Sequence, residues 1–405
     1  MRLTMKERKK ATAVLAPRYQ KARKKEKGKI LDEFVALTEY RRSYASYVLS
    51  VHGMRRRIDA TRIAVADVRK RTRRKRPKVY GSEVSKPLIT IWYLMDCICG
   101  KRLAPIMSEL IRKLEEFREI TLEETVRGKL ESMSAATIDR LVGPERKRCA
   151  LKGRSRTKPG TLLKHQIPIR TFSDWDEKRP GFVEIDLVGH EGGNAQGDYA
   201  QTLTVTDVCT GWTETQAVKN KAQQWVFEAL KEIRGRMPFP LLGIDSDNGG
   251  EFINDHLLRY CRQERITFTR TRSYRKNDNC FVEQKNYSVV RRAVGYARYA
   301  TDQELRTLNA LYPYLSLYTN FFQPTMKLIE KTRIGSKVTK KYDTPSTPYH
   351  RVLQSPDIAE ADKRALKKLY RTLNPALLKR QITKLQQRLL HFVSIKRKGR
   401  AQHAA

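Results

Sequence analysis

The chain has 405 residues, and 83 Lys and Arg against 43 Asp and Glu give it a net charge of +40. Because 40% of the residues are hydrophobic, the chain can bury a core, which excludes a wholly disordered basic protein. An excess of positive charge this large predicts a polyanionic partner.

The positive charge is concentrated toward the two ends of the sequence. Residues 1–80 have a net charge of +19 and residues 301–405 one of +14, whereas residues 181–300 have only +1. A single basic run is about as often a solvated surface as a binding site. Two basic flanks around a neutral centre are better explained by phosphate neutralisation and counterion release, so we expect a nucleic-acid partner.

Features of membrane, secreted and zinc-binding proteins are missing from the sequence. It contains no run of about 18 apolar residues, and its first residues lack the apolar stretch of a secretory signal. The six Cys are scattered without a C-x-x-C spacing, which indicates neither a disulfide framework nor a zinc knuckle. We therefore expect a soluble, intracellular protein with reduced thiols.

Residues 1–80 are predicted to form a basic helix-turn-helix-like DNA-binding region. Apolar residues at helical spacing occur at 30–35 and again at 44–48, with a short break between them. This pattern fits a helix-turn-helix, and a plain helical hairpin fits it nearly as well. The strongly basic stretch 69–78 is expected to follow a DNA backbone or to link two modules.

A second helical DNA-binding region is predicted over residues 81–150. Apolar residues recur at helical intervals from Pro87 to Phe117, and residues 132–141 resemble the turn and second helix of another helix-turn-helix. Residues 151–174 are basic and contain Gly and Pro, which predicts a linker.

Residues 175–325 alternate between strand-like and helix-like patterns, and we expect a catalytic core there. The predicted order is βββαβαβα, with strands at 182–188, 202–208, 213–218, 241–247 and 266–271 and helices at 222–236, 251–264 and 280–299. Three antiparallel strands followed by alternating helices and strands form a mixed sheet with helices on its faces. This arrangement resembles that of ribonuclease H-like domains.

Three acidic residues in this region are candidate metal ligands. Asp186 lies in the first strand, Asp247 ends the fourth strand, and Glu283 lies in the first turn of the last helix. If the first and fourth strands are neighbours, their ends bring the two aspartates together, and the helix can deliver the glutamate. Carboxylates are the ligands that Mg²⁺ or Mn²⁺ prefers, and two such ions can promote phosphoryl transfer.

Each of these acids also has an ordinary structural explanation. Asp186 could be a charge at a sheet edge, Asp247 could cap a turn or a helix, and Glu283 could be favoured by the helix dipole. The metal-binding interpretation therefore depends on the three residues together. Other acids nearby are assigned to solubility, turns or supporting contacts, and Asp245 is the strongest competitor because it shares a strand face with Asp247. These acids are Glu184, Asp207, Asp245 and Asp278.

The spacing of the three acids is distinctive. Sixty residues separate Asp186 from Asp247, 35 separate Asp247 from Glu283, and Asp247 begins the run DNGGEF. This pattern resembles the D, D-35-E signature of the retroviral-integrase superfamily over about residues 175–325. The run YTNFFQP at 318–324 is similar to a segment of bacterial insertion-sequence transposases. The His/Cys zinc module of retroviral integrases is missing, which favours a bacterial mobile-element enzyme.

The resemblance implies a DDE transposase that holds two Mg²⁺ or Mn²⁺ ions at Asp186, Asp247 and Glu283. It implies cleavage of double-stranded DNA at element ends, strand transfer into target DNA, a homo-oligomer on DNA, and a cytoplasmic, nucleoid-associated protein without a membrane partner. The sequence has no ATPase phosphate loop. The alternatives are a metal-dependent nuclease of the same fold and a non-catalytic DNA-binding regulator.

Basic residues around the last core helix are candidates for contacts with DNA phosphates. In a regular helix Arg291 lies about 80° around the axis from Glu283, so it can face the same ligand. A solvated helix face is the alternative. The candidates are Arg272, Arg275, Lys276, Lys285, Arg291 and Arg292.

Residues 326–405 are predicted to form a small basic β/helical domain. A β module is expected at 327–341, and a helical region at 358–392 has an apolar stripe that indicates packing or, alternatively, self-association. Residues 396–400 are expected to be a flexible phosphate-binding tail. The predicted fold class is thus a multidomain α + α/β protein with N-terminal helical domains and a central ribonuclease H-like sheet.

Overall fold

The computed structural model describes most of the chain in two units, Met1–Val79 and Tyr80–Ala405. The described residues are 3–57, 63–65, 79–148, 179–247, 249, 251–252, 254–271 and 280–403. The predicted linker 151–174 and the basic stretch 69–78 lie outside them, as do the candidates Arg272, Arg275 and Lys276 and the acid Asp278.

The first unit is a small bundle of three helices followed by a short hairpin. Leu15, Phe34 and Leu49, one from each helix, are buried in a shared core. At Glu39 the backbone is left-handed (φ 57°) and ends the second helix, so the third begins after a short turn. Both a helix-turn-helix and a helical hairpin require such a turn. The elements are α1 (Met5–Lys21), α2 (Lys24–Thr38), α3 (Arg42–Val51), β1 (Arg55–Arg57) and β2 (Ile63–Val65).

The second unit begins with helices that share one core with the C-terminal part of the chain. Trp92 is fully buried in this core, and its indole N–H donates to the carbonyl oxygen of Ile98 at 2.8 Å. Ser134 caps a helix by accepting from the N–H of Thr137. The helices are α4 (Ser82–Leu94), α5 (Gly100–Leu103), α6 (Met107–Glu116), α7 (Glu124–Glu131), α8 (Ala135–Leu141) and α9 (Gly143–Arg148), with a 3₁₀ turn at Ala104–Ile106.

A five-stranded mixed sheet occupies the centre of this unit. Its strands are β3 (Phe182–Gly189), β4 (Gln201–Asp207), β5 (Thr213–Val218), β6 (Gly243–Ser246) and β7 (Thr267–Arg270). The spatial order is β5-β4-β3-β6-β7, with β3, β4 and β5 antiparallel and β3, β6 and β7 parallel. The first and fourth strands of the core are therefore neighbours, and the predicted ribonuclease H-like fold class is confirmed.

Helices cover both faces of this sheet. The core helices are α10 (Gln223–Arg236), α11 (Asp255–Gln263), α12 (Cys280–Lys285), α13 (Arg292–Val294) and α14 (Asp302–Phe322), with a π-helical turn, Asn286–Arg291, between α12 and α13. Val183 and Ile185 of β3 are packed with residues of α10 and α11. Because side chains alternate along a strand, Glu184 and Asp186 face the opposite side, where α12 lies.

Two asparagines of α14 bind the backbone of the outer strand β5. Asn309 accepts from the N–H of Ala217 at 2.8 Å and donates to its carbonyl oxygen at 3.0 Å. Asn320 forms the same pair of bonds with Thr213, each at 2.9 Å. The asparagine of the YTNFFQP run thus satisfies polar groups at the edge of the sheet.

The C-terminal part contains the predicted β module and helices. Its elements are β8 (Leu328–Ile334), β9 (Lys337–Tyr342), α15 (Pro348–Gln354), α16 (Glu360–Thr372) and α17 (Pro375–His403). Ile382 and Leu389 of the apolar stripe are buried in the core of this unit, whereas Leu377 and Leu390 are exposed. None of the described helices is long and apolar enough to cross a membrane.

Candidate active site

Four acids are arranged in two rows along the neighbouring strands β3 and β6. Glu184 lies directly opposite Asp245 in the parallel pairing. Asp186 and Asp247 each come two residues later and so lie at the same end of the two strands. The fold therefore gives an inner row, Glu184 and Asp245, and an outer row, Asp186 and Asp247.

Asp186 is the electrostatic centre of this cluster. Its Oδ1 accepts from the N–H of Leu187 at 2.8 Å, and its Oδ2 accepts from the side-chain amide of Asn286 at 2.6 Å. The pKa of Asp186 is raised to about 8, mainly by removal from water and in addition by repulsion from Asp247 and Glu283. The charges of the other two predicted ligands therefore act on Asp186.

Asp247 is held by the turn that follows β6. Its Oδ1 accepts from the N–H of Gly249 at 2.9 Å, and burial raises its pKa. A Cβ atom at Gly249 would lie 2.7 Å from Cδ of Glu251, so a larger residue there would have to displace that carboxylate.

Glu283 is exposed on α12, and a carboxyl of β3 fixes the start of that helix. Oε2 of Glu184 accepts from the N–H of Val282 at 2.8 Å. The backbone N–H groups at a helix N-terminus have no partners within the helix, and an acidic side chain satisfies them. Glu184 thus positions Glu283 relative to the strand that contains Asp186.

Glu184 and Asp245 have structural contacts that the sequence did not reveal. Both are fully buried. The pKa of Glu184 is raised well above its ordinary value, mainly by burial and in addition by repulsion from Asp245. The hydrogen bond from the N–H of Val282 acts in the opposite direction and lowers this pKa. Asp245 accepts from the hydroxyl of Thr269 on β7 at 2.5 Å. The acid named as the main competitor of Asp247 is therefore bound to a neighbouring strand.

Replacing Glu184 tests this positioning role. Near pH 4, where Glu184 is largely protonated in both the folded and the unfolded state, Glu184→Ala should lower the free energy of unfolding by about 1–3 kcal/mol, because the N–H of Val282 loses its acceptor inside the protein. Glu184→Gln keeps a neutral acceptor of the same length and should cost less. Urea denaturation gives both values, and amide hydrogen exchange at Val282 should quicken only in the Ala variant. Equal stability of the two variants would contradict the role.

The donor chemistry of the outer row fits a hard divalent cation. Asp186, Asp247 and Glu283 offer carboxylate oxygens, and the amide Oδ1 of Asn286 is buried without a hydrogen-bond partner among the described residues. In the described part of the chain, no three His, Cys, Asp or Glu side chains lie close enough together to hold one ion. Metal coordination by the three acids therefore stays a prediction.

The candidate DNA-binding residues on and after α12 have different surroundings. Lys285 is buried, with 6% of its surface exposed, and burial lowers its pKa to about 7, assisted by the charges of Arg102 and Arg351. Arg291 donates to the carbonyl oxygen of Gly189 at 2.8 Å. Arg292 is exposed and donates to the carbonyl oxygen of Asp96. Their contacts with DNA stay predictions.

A buried histidine next to β3 belongs to a polar chain that the sequence did not indicate. Nε2 of His190 lies 2.7 Å from the hydroxyl of Thr202, which lies 2.5 Å from the hydroxyl of Tyr312. Burial, together with a smaller contribution from the charge of Arg291, lowers the pKa of His190 to about 3. The imidazole is therefore neutral and links β3 to α14.

Solved structures to which the chain is similar include retroviral integrase cores. One is the HTLV-2 integrase catalytic core domain in complex with magnesium, which is 14% identical, with a TM-score of 0.28 over 36% of this chain and 91% of that chain. Another is the catalytic core domain of BIV integrase, which is 18% identical, with a TM-score of 0.30 over 43% of this chain and 95% of that chain. These similarities concern the fold alone.

A relative along almost the full length defines the family. No family model matches the chain. The chain is 38% identical over 352 residues to the uncharacterized protein y4rM of Sinorhizobium fredii (strain NBRC 101917 / NGR234). The aligned residues cover 86% of this chain and 96% of y4rM. The chain belongs to the same family as y4rM.

Proposed function

We propose that the chain is a DDE transposase, which cleaves DNA at the ends of its element and joins the freed 3′-hydroxyl to target DNA. In this proposal Asp186, Asp247 and Glu283 hold two Mg²⁺ or Mn²⁺ ions through carboxylate oxygens. When bound, the ions would assist the attacking oxygen and stabilise the leaving oxygen of an in-line displacement. Water and then the 3′-hydroxyl supply the attacking oxygen, so no side chain needs to act as a nucleophile.

The observation that carries this proposal is the parallel pairing of β3 with β6, which puts Asp186 and Asp247 at the same end of neighbouring strands, while Glu184 ties the start of the helix with Glu283 to β3. In agreement with this geometry, Asp247 and Glu283 repel the carboxylate of Asp186 and contribute to its raised pKa. Sixty and 35 residues separate the three acids in the sequence, so their charges act on one another only through the fold. A carboxyl whose ionisation is opposed by its neighbours is costly to keep charged without a cation. This cost supports a metal-binding role over a purely structural one.

The charge distribution supports DNA as the substrate. Residues 1–80 have a net charge of +19, and the described helices α1 to α3 provide a folded unit within them. Binding through such residues is governed by phosphate neutralisation and weakens steeply with salt. In the proposal this unit binds element ends while the central sheet performs the chemistry.

A strand-transfer assay tests the proposal. The full chain is incubated with a precut duplex taken from the end of its own element and with a supercoiled plasmid. We expect joined products with Mg²⁺ or Mn²⁺ and none in EDTA. Cleavage without joining would instead identify a nuclease of the same fold. Binding without either reaction would identify a DNA-binding regulator.

A further inference from the structure

A basic cavity of about 300 Å³ lies beside the helix that contains Glu283. Its lining includes residues of α5, α12, the π-helical turn, α13, α14 and α17, and Asp96 between α4 and α5. Four cations and one acid are among the lining residues. They are Arg102, Lys285, Arg292, Lys379 and Asp96.

Lys285 is the buried cation of this cavity. Two residues along a helix correspond to a rotation of about 200°, so Lys285 projects away from the side on which Glu283 lies. Its side chain is only 6% exposed. Among the described residues its ammonium has no hydrogen-bond or ion-pair partner. Burying an ammonium group without an anion is costly, so the position requires an explanation.

The other cations leave the positive charge of the cavity largely uncompensated. Asp96 forms an ion pair with Lys379. The guanidinium of Arg102 donates to the carbonyl oxygen of Pro324 and to Oε1 of Gln323, which are both neutral acceptors. Arg292 donates to a backbone carbonyl oxygen. Within the described parts of the chain, neither arginine has a carboxylate partner.

Arg351 adds a further positive charge near Lys285, although it does not line the cavity. The charges of Arg102 and Arg351 both act on Lys285. Arg351 has its own carboxylate partner, because its guanidinium lies 2.7 Å from Oδ2 of Asp343. An anion in the cavity would therefore be shared mainly by Lys285, Arg102 and Arg292.

We propose that this cavity binds a phosphate group. Lysine and arginine form strong charge-assisted hydrogen bonds with phosphate oxygens, and the exposed Ser288 adds a hydroxyl at the wall. The volume is at the lower end of the range for small-ligand sites, which leaves room for a phosphate with a small organic group. Ser288 lies in the π-helical turn, a feature that is frequent at functional sites.

The phosphate has two sources, a phosphodiester of bound DNA or a free phosphate-bearing molecule. In either case the ligand would connect α12 to α5 through Lys285 and Arg102. The inference does not depend on the proposed function, because it concerns the opposite side of α12 and requires no divalent cation.

The first arm of the test measures binding of inorganic phosphate to the full chain in EDTA by calorimetry and thermal unfolding. We expect phosphate to bind and to raise the unfolding temperature of the wild type. Lys285→Met keeps an unbranched side chain of nearly the same length and removes the ammonium charge, and it should weaken binding at least about tenfold. Lys368→Met, which removes an exposed charge on α16, is the matched control and should bind like the wild type.

The second arm measures binding of a short DNA duplex in EDTA at several salt concentrations. The slope of DNA affinity against salt concentration counts the phosphates that the protein contacts. If inorganic phosphate does not bind, and this slope is smaller by about one phosphate in Lys285→Met than in Lys368→Met, the ligand is a DNA phosphodiester. Binding of inorganic phosphate and the smaller salt dependence of DNA binding each support the site, and they show which of the two sources supplies the phosphate.

A second variant keeps the test valid if Lys285→Met does not fold. Ser288→Asp places a carboxylate at the exposed wall of the cavity and should weaken binding by repulsion. The proposal is overturned if Lys285→Met and Ser288→Asp bind both inorganic phosphate and the duplex as Lys368→Met does. Because EDTA prevents cation-dependent chemistry, this outcome leaves the strand-transfer proposal unaffected.

Discussion

Asp186→Asn should reduce the rate of cation-dependent DNA cleavage and joining by about 10³-fold or more. The amide keeps the size of the side chain but replaces an anionic ligand with a neutral one that binds divalent cations weakly. Its oxygen can still accept from the N–H of Leu187, and its NH₂ group can donate to Oδ1 of Asn286 once the amide of Asn286 rotates, so the local structure should be retained. Single-turnover rates with a precut end and Mg²⁺ measure the effect.

Asp198→Asn is the matched control for this experiment. Asp198 is exposed in the segment between β3 and β4, and the change is chemically the same. Its rates should equal those of the wild type, and both variants should bind duplex DNA normally. A wild-type joining rate in Asp186→Asn would exclude Asp186 from the catalytic site.

The same substitution, which should impair catalysis, should make the folded protein more stable when no divalent cation is bound. In EDTA at pH 8.5, Asp186→Asn should raise the free energy of unfolding by about 2–5 kcal/mol. The pKa of Asp186 is raised to about 8 in the folded protein, whereas the unfolded chain ionises in the ordinary acidic range. Above that range the unfolded state has released a proton that the folded state retains. Asp186 therefore destabilises the fold increasingly up to about pH 8.

Denaturation with urea across pH checks this expectation. The gain in free energy of unfolding of Asp186→Asn over the wild type should be absent near pH 4, grow with pH and level off above about pH 8. Asp198→Asn should show no such gain. Mg²⁺ should stabilise the wild type more than Asp186→Asn, because binding to the folded state alone shifts unfolding by mass action. A variant no more stable than the wild type at pH 8.5 would contradict the raised pKa.

The sheet could be predicted because its strands have local signals. β4 is rich in threonine and valine, and polar turns separate β3, β4 and β5. The boundaries of the helices were less predictable. The helix expected at 251–264 begins at Asp255, because Asn254 caps it by accepting from the N–H of Leu257 at 2.8 Å.

The position of Arg291 could not be predicted from regular helical geometry. The expected helix 280–299 contains the π-helical turn and ends at Val294, before Gly295 (φ 69°). A π-helical turn has more residues per turn than an α-helix, so it changes the direction of every later side chain. Arg291 consequently donates to the carbonyl oxygen of Gly189.

The spacing of three acids could be read from the sequence, whereas their supports could not. Glu184 lies 98 residues from Val282, and Asn286 lies 100 residues from Asp186. No local pattern indicates such long-range bonds. Asn286 did have a weak signal, because it follows Glu283 by one helical turn and so shares its face. The environment of Lys285 depends equally on distant elements.

The two asparagines of α14 have a consequence for how copies of this chain can associate. Since Asn309 and Asn320 already occupy backbone groups of Ala217 and Thr213, β5 cannot form a continuous ladder with a strand from another molecule. The opposite outer strand, β7, leads into the segment before α12. Intermolecular sheet extension through β5 is thereby blocked, so copies of this chain that associate would have to do so through other surfaces.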